Sequence, residues 1–159
     1  MGTRSTIALE YADGTVEQVY CHWDGYLEHN GQILQKHYSN PFILRDLIDL
    51  GDISSLKSTV GTKHAFSHFD NGMTQDEYYK LYGEMTTFYG RDRGETGADK
   101  KSFVDFQDYL AHQYEEYDYI LRSVGGEAVW FVSDHDGAYV ELTQAIMDEQ
   151  DRIAQEETA

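Results

Sequence analysis

Cysteine, long apolar runs and basic charge are scarce in this sequence, and each scarcity excludes something. The single cysteine, Cys21, cannot form an internal disulfide, so nothing points to an oxidising compartment. No apolar run reaches the length of a membrane span, which excludes a transmembrane helix. The start, Met1-Gly2-Thr3-Arg4-Ser5, leads straight into an expected strand, so no signal peptide is expected. There is no Gly-rich phosphate loop before a helix, no Gly-x-Ser-x-Gly and no His-Glu-x-x-His. Internal repeats and low-complexity segments are also absent. No catalytic residue is assigned, and a non-enzymatic protein with no cofactor is the expectation.

Bases are scarcest at the end. Residues Phe103 to Ala159 hold fourteen acids against two bases, Arg122 and Arg152, while the whole 159-residue chain has a net charge of -17. Such a surface repels nucleic acid and anionic lipid and attracts basic grooves, so direct nucleic-acid and membrane binding are not expected. The plainer use of the same charge is solubility.

What is present argues for one folded domain over residues 1–153, with 154–159 as a frayed tail. Hydrophobic residues make up 40% and aromatics 14%, including 13 Tyr, each of which needs a partner for its hydroxyl when buried. The densest stretch is Val19-Tyr20-Cys21-His22-Trp23-Asp24-Gly25-Tyr26. It reads as a strand with Val19, Cys21 and Trp23 on one face, broken by Asp24-Gly25. Asp13-Gly14 predicts a hairpin with a two-residue loop. That register sets Ile7 opposite Tyr20, Ser5 opposite His22 and Arg4 opposite Trp23, where the guanidinium can stack on the indole.

Further along, a short helix is expected over Gly31–Tyr38 and another over Pro41–Leu50, opened by Asn40-Pro41 and closed by Gly51. Gly51–Gly72 reads as irregular. Thr74-Gln75-Asp76-Glu77 is a capping box. Met85–Tyr89 is expected as a strand, Arg91–Lys101 as a loop, and Ser102 as the cap of a helix from Phe103 to Tyr114. A second hairpin, Tyr117–Val124 and Glu127–Ser133, turns at Gly125-Gly126 and pairs Ile120 with Phe131. An acidic amphipathic helix runs from Gly137 to Ile153 with Tyr139, Leu142, Ile146 and Ile153 inward. The class is α+β: a mainly antiparallel sheet built from two hairpins, with helices packed on it.

Two candidate sites follow. If Tyr89-Gly90-Arg91-Asp92-Arg93-Gly94-Glu95 lies beside the first stretch, then Arg4, His22, Trp23, Asp24, Tyr26, Arg91, Asp92, Arg93 and Glu95 surround a site for a nucleotide-like anion. Arginines suit phosphate, and Trp23, Tyr26 and Tyr89 can stack on a base. The competing account is a structural ion-pair network in which Asp92 ties down an arginine. The second site is acidic: Asp105, Asp108, Glu115, Glu116, Asp134, Asp136, Glu141, Asp148, Glu149 and Asp151, with Asp118 among them. On one shared face these carboxylates stand in for phosphates in a basic groove. No metal site is assigned. His64, His68 and Asp70 have ligand-compatible spacing, with Asp134-His135-Asp136 as further donors, but they match no strong metal pattern. Cys21 reads as a buried thiol, since adjacent His22 points to the opposite strand face.

Several stretches together carry a resemblance: Thr3-Arg4-Ser5-Thr6-Ile7, Asp13-Gly14-Thr15-Val16, Tyr20 to Tyr26, Leu50-Gly51-Asp52-Ile53-Ser54-Ser55-Leu56, Tyr89 to Glu95 and Glu116-Tyr117-Asp118-Tyr119. The chain resembles a family of small uncharacterised proteins of tailed phages and prophages, to about Val132. It departs at Leu27, where that pattern has Pro, and in its acidic C-terminal helix. The family has no established activity, so no residue role carries over. The resemblance implies a phage protein for host takeover or counter-defence, in the cytoplasm of a bacterial host. The expected partner is a nucleic-acid-handling host protein with a basic groove, blocked by DNA mimicry. A nucleotide-binding sponge or enzyme is the alternative.

Overall fold

Turn chemistry and hydrophobic pattern compete in the first hairpin, and the pattern wins. In the computed structural model, which describes residues 3–113, 115–133 and 138–158, strand β1 (Ser5–Glu10) pairs with β2 (Val16–Cys21) so that Ile7 faces Val19 and Ser5 faces Cys21. This is one residue off the expected register. The loop is longer than two residues: Tyr11 N donates to Thr15 O at 2.8 Å, and Gly14 takes φ +91°. Asp13 Oδ1 accepts from both the Thr15 amide and hydroxyl. A three-residue loop with a left-handed Gly is the next commonest hairpin. It places Ile7, Leu9, Val19 and Cys21 together in the core, whereas the shorter loop would set Ile7 against Tyr20. The expected partnerships of Arg4 with Trp23 and Ser5 with His22 fall with that register.

After β2 the chain turns at Asp24, the one described non-glycine residue with positive φ (58°). Gly25 follows because a Cβ there would meet Ser5 Cβ at 2.7 Å and Thr3 O at 2.8 Å. A π-helical turn, Leu27–Gly31, leads into α1 (Gln32–His37), so the helix begins earlier than expected. Helix α2 (Pro41–Asp49) opens where Asn40 accepts from Phe42 N. Its Leu44, Leu47 and Ile48 are buried.

The stretch expected to be irregular contains β3 (Ile53–Ser55), which pairs in parallel with β2. Helix α3 (Gln75–Tyr82) is capped by Thr74, whose hydroxyl accepts from Glu77 N and donates to the Glu77 carboxylate. The expected strand at 85–89 shrinks to β4 (Thr87–Phe88). The chain then coils into a helical turn, α4 (Tyr89–Arg93), where a loop was expected. Ser102 does not cap a helix. It lies in β5 (Lys101–Phe103), which covers the first half of the β2 edge. Asp105 is the cap instead, accepting from Asp108 N at 2.8 Å at the start of α5 (Phe106–Leu110).

Strands β6 (Tyr117–Val124) and β7 (Glu127–Ser133) pair as expected, with Ile120 opposite Phe131. Tyr139–Glu141 forms the edge strand β8, so the last helix, α6, starts at Leu142 rather than 137 and continues to Thr158. Tyr139 therefore belongs to the sheet and not to the helix stripe.

The fold is α+β, with a mixed sheet in the order β4-β3-β2-β1-β6-β7-β8 and β5 beside β2. Five strand pairings are antiparallel; β1–β6 and β2–β3 are parallel. The two hairpins are joined through the parallel pair β1–β6. One sheet face buries Ile7, Val19, Tyr119, Leu121 and Val132 under α1, α2 and α6. The other packs Ala8, Val16 and Ile120 against α5, with Phe131 and Tyr139 alongside. No described helix is long and apolar enough to cross a membrane.

Candidate functional site

The two motif stretches flank β3 and do not lie side by side. His22 N donates to Ile53 O and Trp23 N to Ser54 O, while Ile53 pairs with Phe88 on the other side. Of the first stretch, Cys21 is fully buried, and burial pushes its thiol up to about 11 although the Asn30 amide donates to the sulfur. Asn30 also reaches Ser5 Oγ and Trp23 O, and Tyr119 OH donates to Gly25 O. These contacts tie the turn to the sheet. Trp23 is 42% exposed, with the His22 ring edge-on to it at 4.7 Å. Tyr26 packs by His29, and Arg4 is exposed.

In the second stretch, neighbouring charges have opposite fates. Asp92 is buried: Oδ1 accepts from His64 N (3.1 Å) and Arg91 Nε (3.0 Å), and Oδ2 accepts from Phe88 N (2.8 Å). Arg91 donates its remaining N–H groups to the carbonyls of Val60, Gly61 and Thr86 and to Asp92 Oδ2, and stacks over Phe88. Such a guanidinium is saturated and cannot clamp a ligand. Arg93 is different: its side chain is 57% exposed, lies over Phe66 at 4.9 Å and is 3.9 Å from Glu95. His64 Nδ1 donates to Thr62 O at 2.7 Å, and Thr87 Oγ1 lies 3.3 Å from Nε2. That line ends at Asp92, but the 3.7 Å separation is too long for the base–acid hydrogen bond of a catalytic triad. No metal-ligand cluster occurs among the described residues, and Asp134, His135 and Asp136 lie outside them.

On the face away from α1 and α2, a cleft of about 190 Å³ holds a polar group that no local motif announced. Thr6, Gln18, Tyr20, Asp52, Lys101, Gln113 and Glu115 line it. Thr6 Oγ1 donates to the buried Asp118 carboxyl at 2.6 Å, and Gln18 Nε2 donates to Gln113 Oε1 at 2.6 Å. Burial raises Asp118 to about 6; the Thr6 bond opposes this and the Glu115 charge adds to it. Burial also raises Asp52, against the Tyr20 amide and Lys101. Burial thus acts on two carboxyls here, Asp52 in the cleft wall and Asp118 behind Thr6.

The acids do not form one face. Asp105 and Asp108 are spent on α5: one caps it, and the other accepts from Val104 N at 3.0 Å. Glu115 faces the polar cleft, and Glu116 is half-buried nearby. The α6 acids lie on the opposite side of the sheet, since Leu142 and Ile146 bury that helix in the main core. Beyond Glu149, every described α6 side chain except half-buried Ile153 is exposed. Arg152 pairs with Glu149 and Glu156, leaving Asp148, Asp151 and Glu157 without a basic partner among the described residues. No protein-family model matches the chain, and it matches no curated protein and no solved structure.

Proposed function

We propose that the protein is a non-enzymatic binding protein of phage type, acting in host takeover or counter-defence, and that α6 is its acidic docking element for a basic groove of a host protein. The observation that carries this reading is the division of labour among the acids. Those of α5 satisfy backbone amides, whereas α6 is anchored at one end by Leu142 and Ile146 and presents solvent-exposed acids along the rest. Five carboxylates, from Asp148 to Glu157, span about 14 Å of helix axis. With Arg152 pairing Glu149 and Glu156, the net is four negative charges, one per ~3.4 Å, sparser than the ~1.7 Å of duplex DNA and equal to the ~3.4 Å of a single strand. The mimicry reading therefore narrows to a groove that accepts one strand's worth of charge.

The test is neutralisation of Glu141, Asp148, Glu149 and Asp151 to Gln or Asn, followed by retrieval of partners from bacterial host lysate. The unfolding midpoint should hardly move, because surface changes away from caps and buried networks rarely matter. Retention of a basic, nucleic-acid-handling partner should fall sharply, and its salt dependence should become shallower. Undiminished retention by the quadruple variant sinks the proposal.

A further inference from the structure

Between α3 and the β3–β4 edge lies a second cleft, about 200 Å³ and open to solvent. Four aromatic rings line it: Phe66, Tyr78, Tyr79 and Tyr82. Tyr82 is held from behind by the His64 ring, stacked at 5.1 Å, and Tyr78 meets it edge-on at 5.3 Å. Tyr78 OH donates to the carbonyls of Ala65 and Phe66, which fixes the loop that carries Phe66. The aromatic wall is therefore braced from both sides. Tyr79 is 60% exposed and so open to a ligand from solvent. Between the rings the lining includes the hydroxyls and amide of Ser54, Ser55, Ser67, Thr87 and Gln75, with His68 and Met85 beside them.

Charge decides which ring-shaped ligand suits this cleft. Lys57 lines it, with Nζ 5.8 Å from the Tyr79 centroid, and Arg93 stacks on Phe66 from outside. These cations stand at the rim of an aromatic cleft in a chain of net charge -17. A neutral sugar would use the rings and hydroxyls but neither cation. A nucleotide uses all three, stacking its base on an aromatic, meeting its edge with hydroxyl and amide groups, and pairing its phosphate with an ammonium. The volume admits one base, leaving ribose and phosphate at the rim beside Lys57.

We infer that this cleft is a nucleoside 5′-monophosphate site, with Tyr79 as the stacking platform and Lys57 as the phosphate contact. It is independent of α6, and it replaces the expected clamp of two arginines, from which Arg91 is withdrawn by burial.

Isothermal titration of the full chain with the four ribonucleoside 5′-monophosphates, their nucleosides, inorganic phosphate and a neutral disaccharide tests it. At least one monophosphate should bind saturably with a dissociation constant below about 1 mM and at least about tenfold more tightly than its nucleoside. Tyr79→Ala and Lys57→Ala should each weaken it about tenfold or more at an unchanged unfolding midpoint, and Arg93→Ala should weaken it less. No saturable nucleotide binding, equal affinity for nucleoside and nucleotide, preference for the disaccharide, or unchanged affinity in folded Lys57→Ala would each overturn the assignment. Loss of nucleotide binding in the variant neutralised at Glu141, Asp148, Glu149 and Asp151 would overturn the independence of the two surfaces.

Discussion

Asp92→Ala should cost on the order of 3–5 kcal/mol, the range for removing one partner of a buried ion pair. The carboxylate takes bonds from two buried backbone amides, His64 N and Phe88 N, and from Arg91, whose side chain is only 13% exposed. Truncation leaves both amides without their acceptor and a guanidinium with no counter-charge. Since domains are stable by about 5–15 kcal/mol, the variant should be largely unfolded at moderate urea. Asp92→Asn keeps one oxygen acceptor and should fall between. Arg93→Ala, one position away, removes only an exposed pair and a stack, and should change stability by less than about 1 kcal/mol. Urea unfolding of the three variants measures the order; an Asp92→Ala loss below that of Arg93→Ala would show that the loop is held some other way.

The second large effect depends on pH. Asp118 has an ordinary value of 3.8 and is raised to about 6 in the fold, chiefly by burial. Below about pH 3 the carboxyl is protonated in folded and unfolded chains alike, and its contribution to stability is fully present. As pH rises from there through 6, the unfolded chain releases the proton first, and roughly 3 kcal/mol is lost; above that the loss is complete. Asp118→Asn keeps an acceptor for Thr6 and carries no charge to bury. The variant should therefore be more stable than the parent by roughly 2–3 kcal/mol at pH 7–8, with the difference closing by about pH 3. Taking the difference between the two proteins at each pH cancels the other carboxylates. A constant difference from pH 4 to 8 would contradict the assignment.

Local chemistry was legible where it acted alone. Asn40-Pro41 opens α2, Thr74 and Glu77 form a capping box, and Gly125-Gly126 sets the second hairpin's register. It failed where two local signals competed. Asp13-Gly14 favoured a two-residue loop, yet the cost of opposing Ile7 to Tyr20 outweighed it. Ser102 and Asp105 are both good caps, and the choice fell to Asp105 because β2 had an open edge for residues 101–103. The parallel β1–β6 pair had no local signature, since a parallel partner is not announced by any turn.

The sites follow the same division. Arg91 and Arg93 are equivalent in sequence, and the Asp92 carboxylate with the carbonyls of Val60, Gly61 and Thr86 separates a buried strut from a surface cation. Thr6, Gln18, Asp52 and Gln113 come from four separate parts of the chain, so the polar cleft has no motif. Phe66 lay in a stretch that looked irregular, while Tyr78 and Tyr82 follow a capping box that announces a helix and not the walls of a cleft.

The parallel pairing of β1 with β6 also sets a schedule for synthesis. Ser5 is partnered by Tyr117, so the central strand leaves the ribosome over a hundred residues before the strand that completes it. At roughly 5–20 residues per second, β1 waits about 5–20 s. The hairpin with β2 protects one of its edges within that time. The other edge, flanked by the apolar side chains of Ile7 and Leu9, stays available to any extended segment, including β1 of a neighbouring nascent chain.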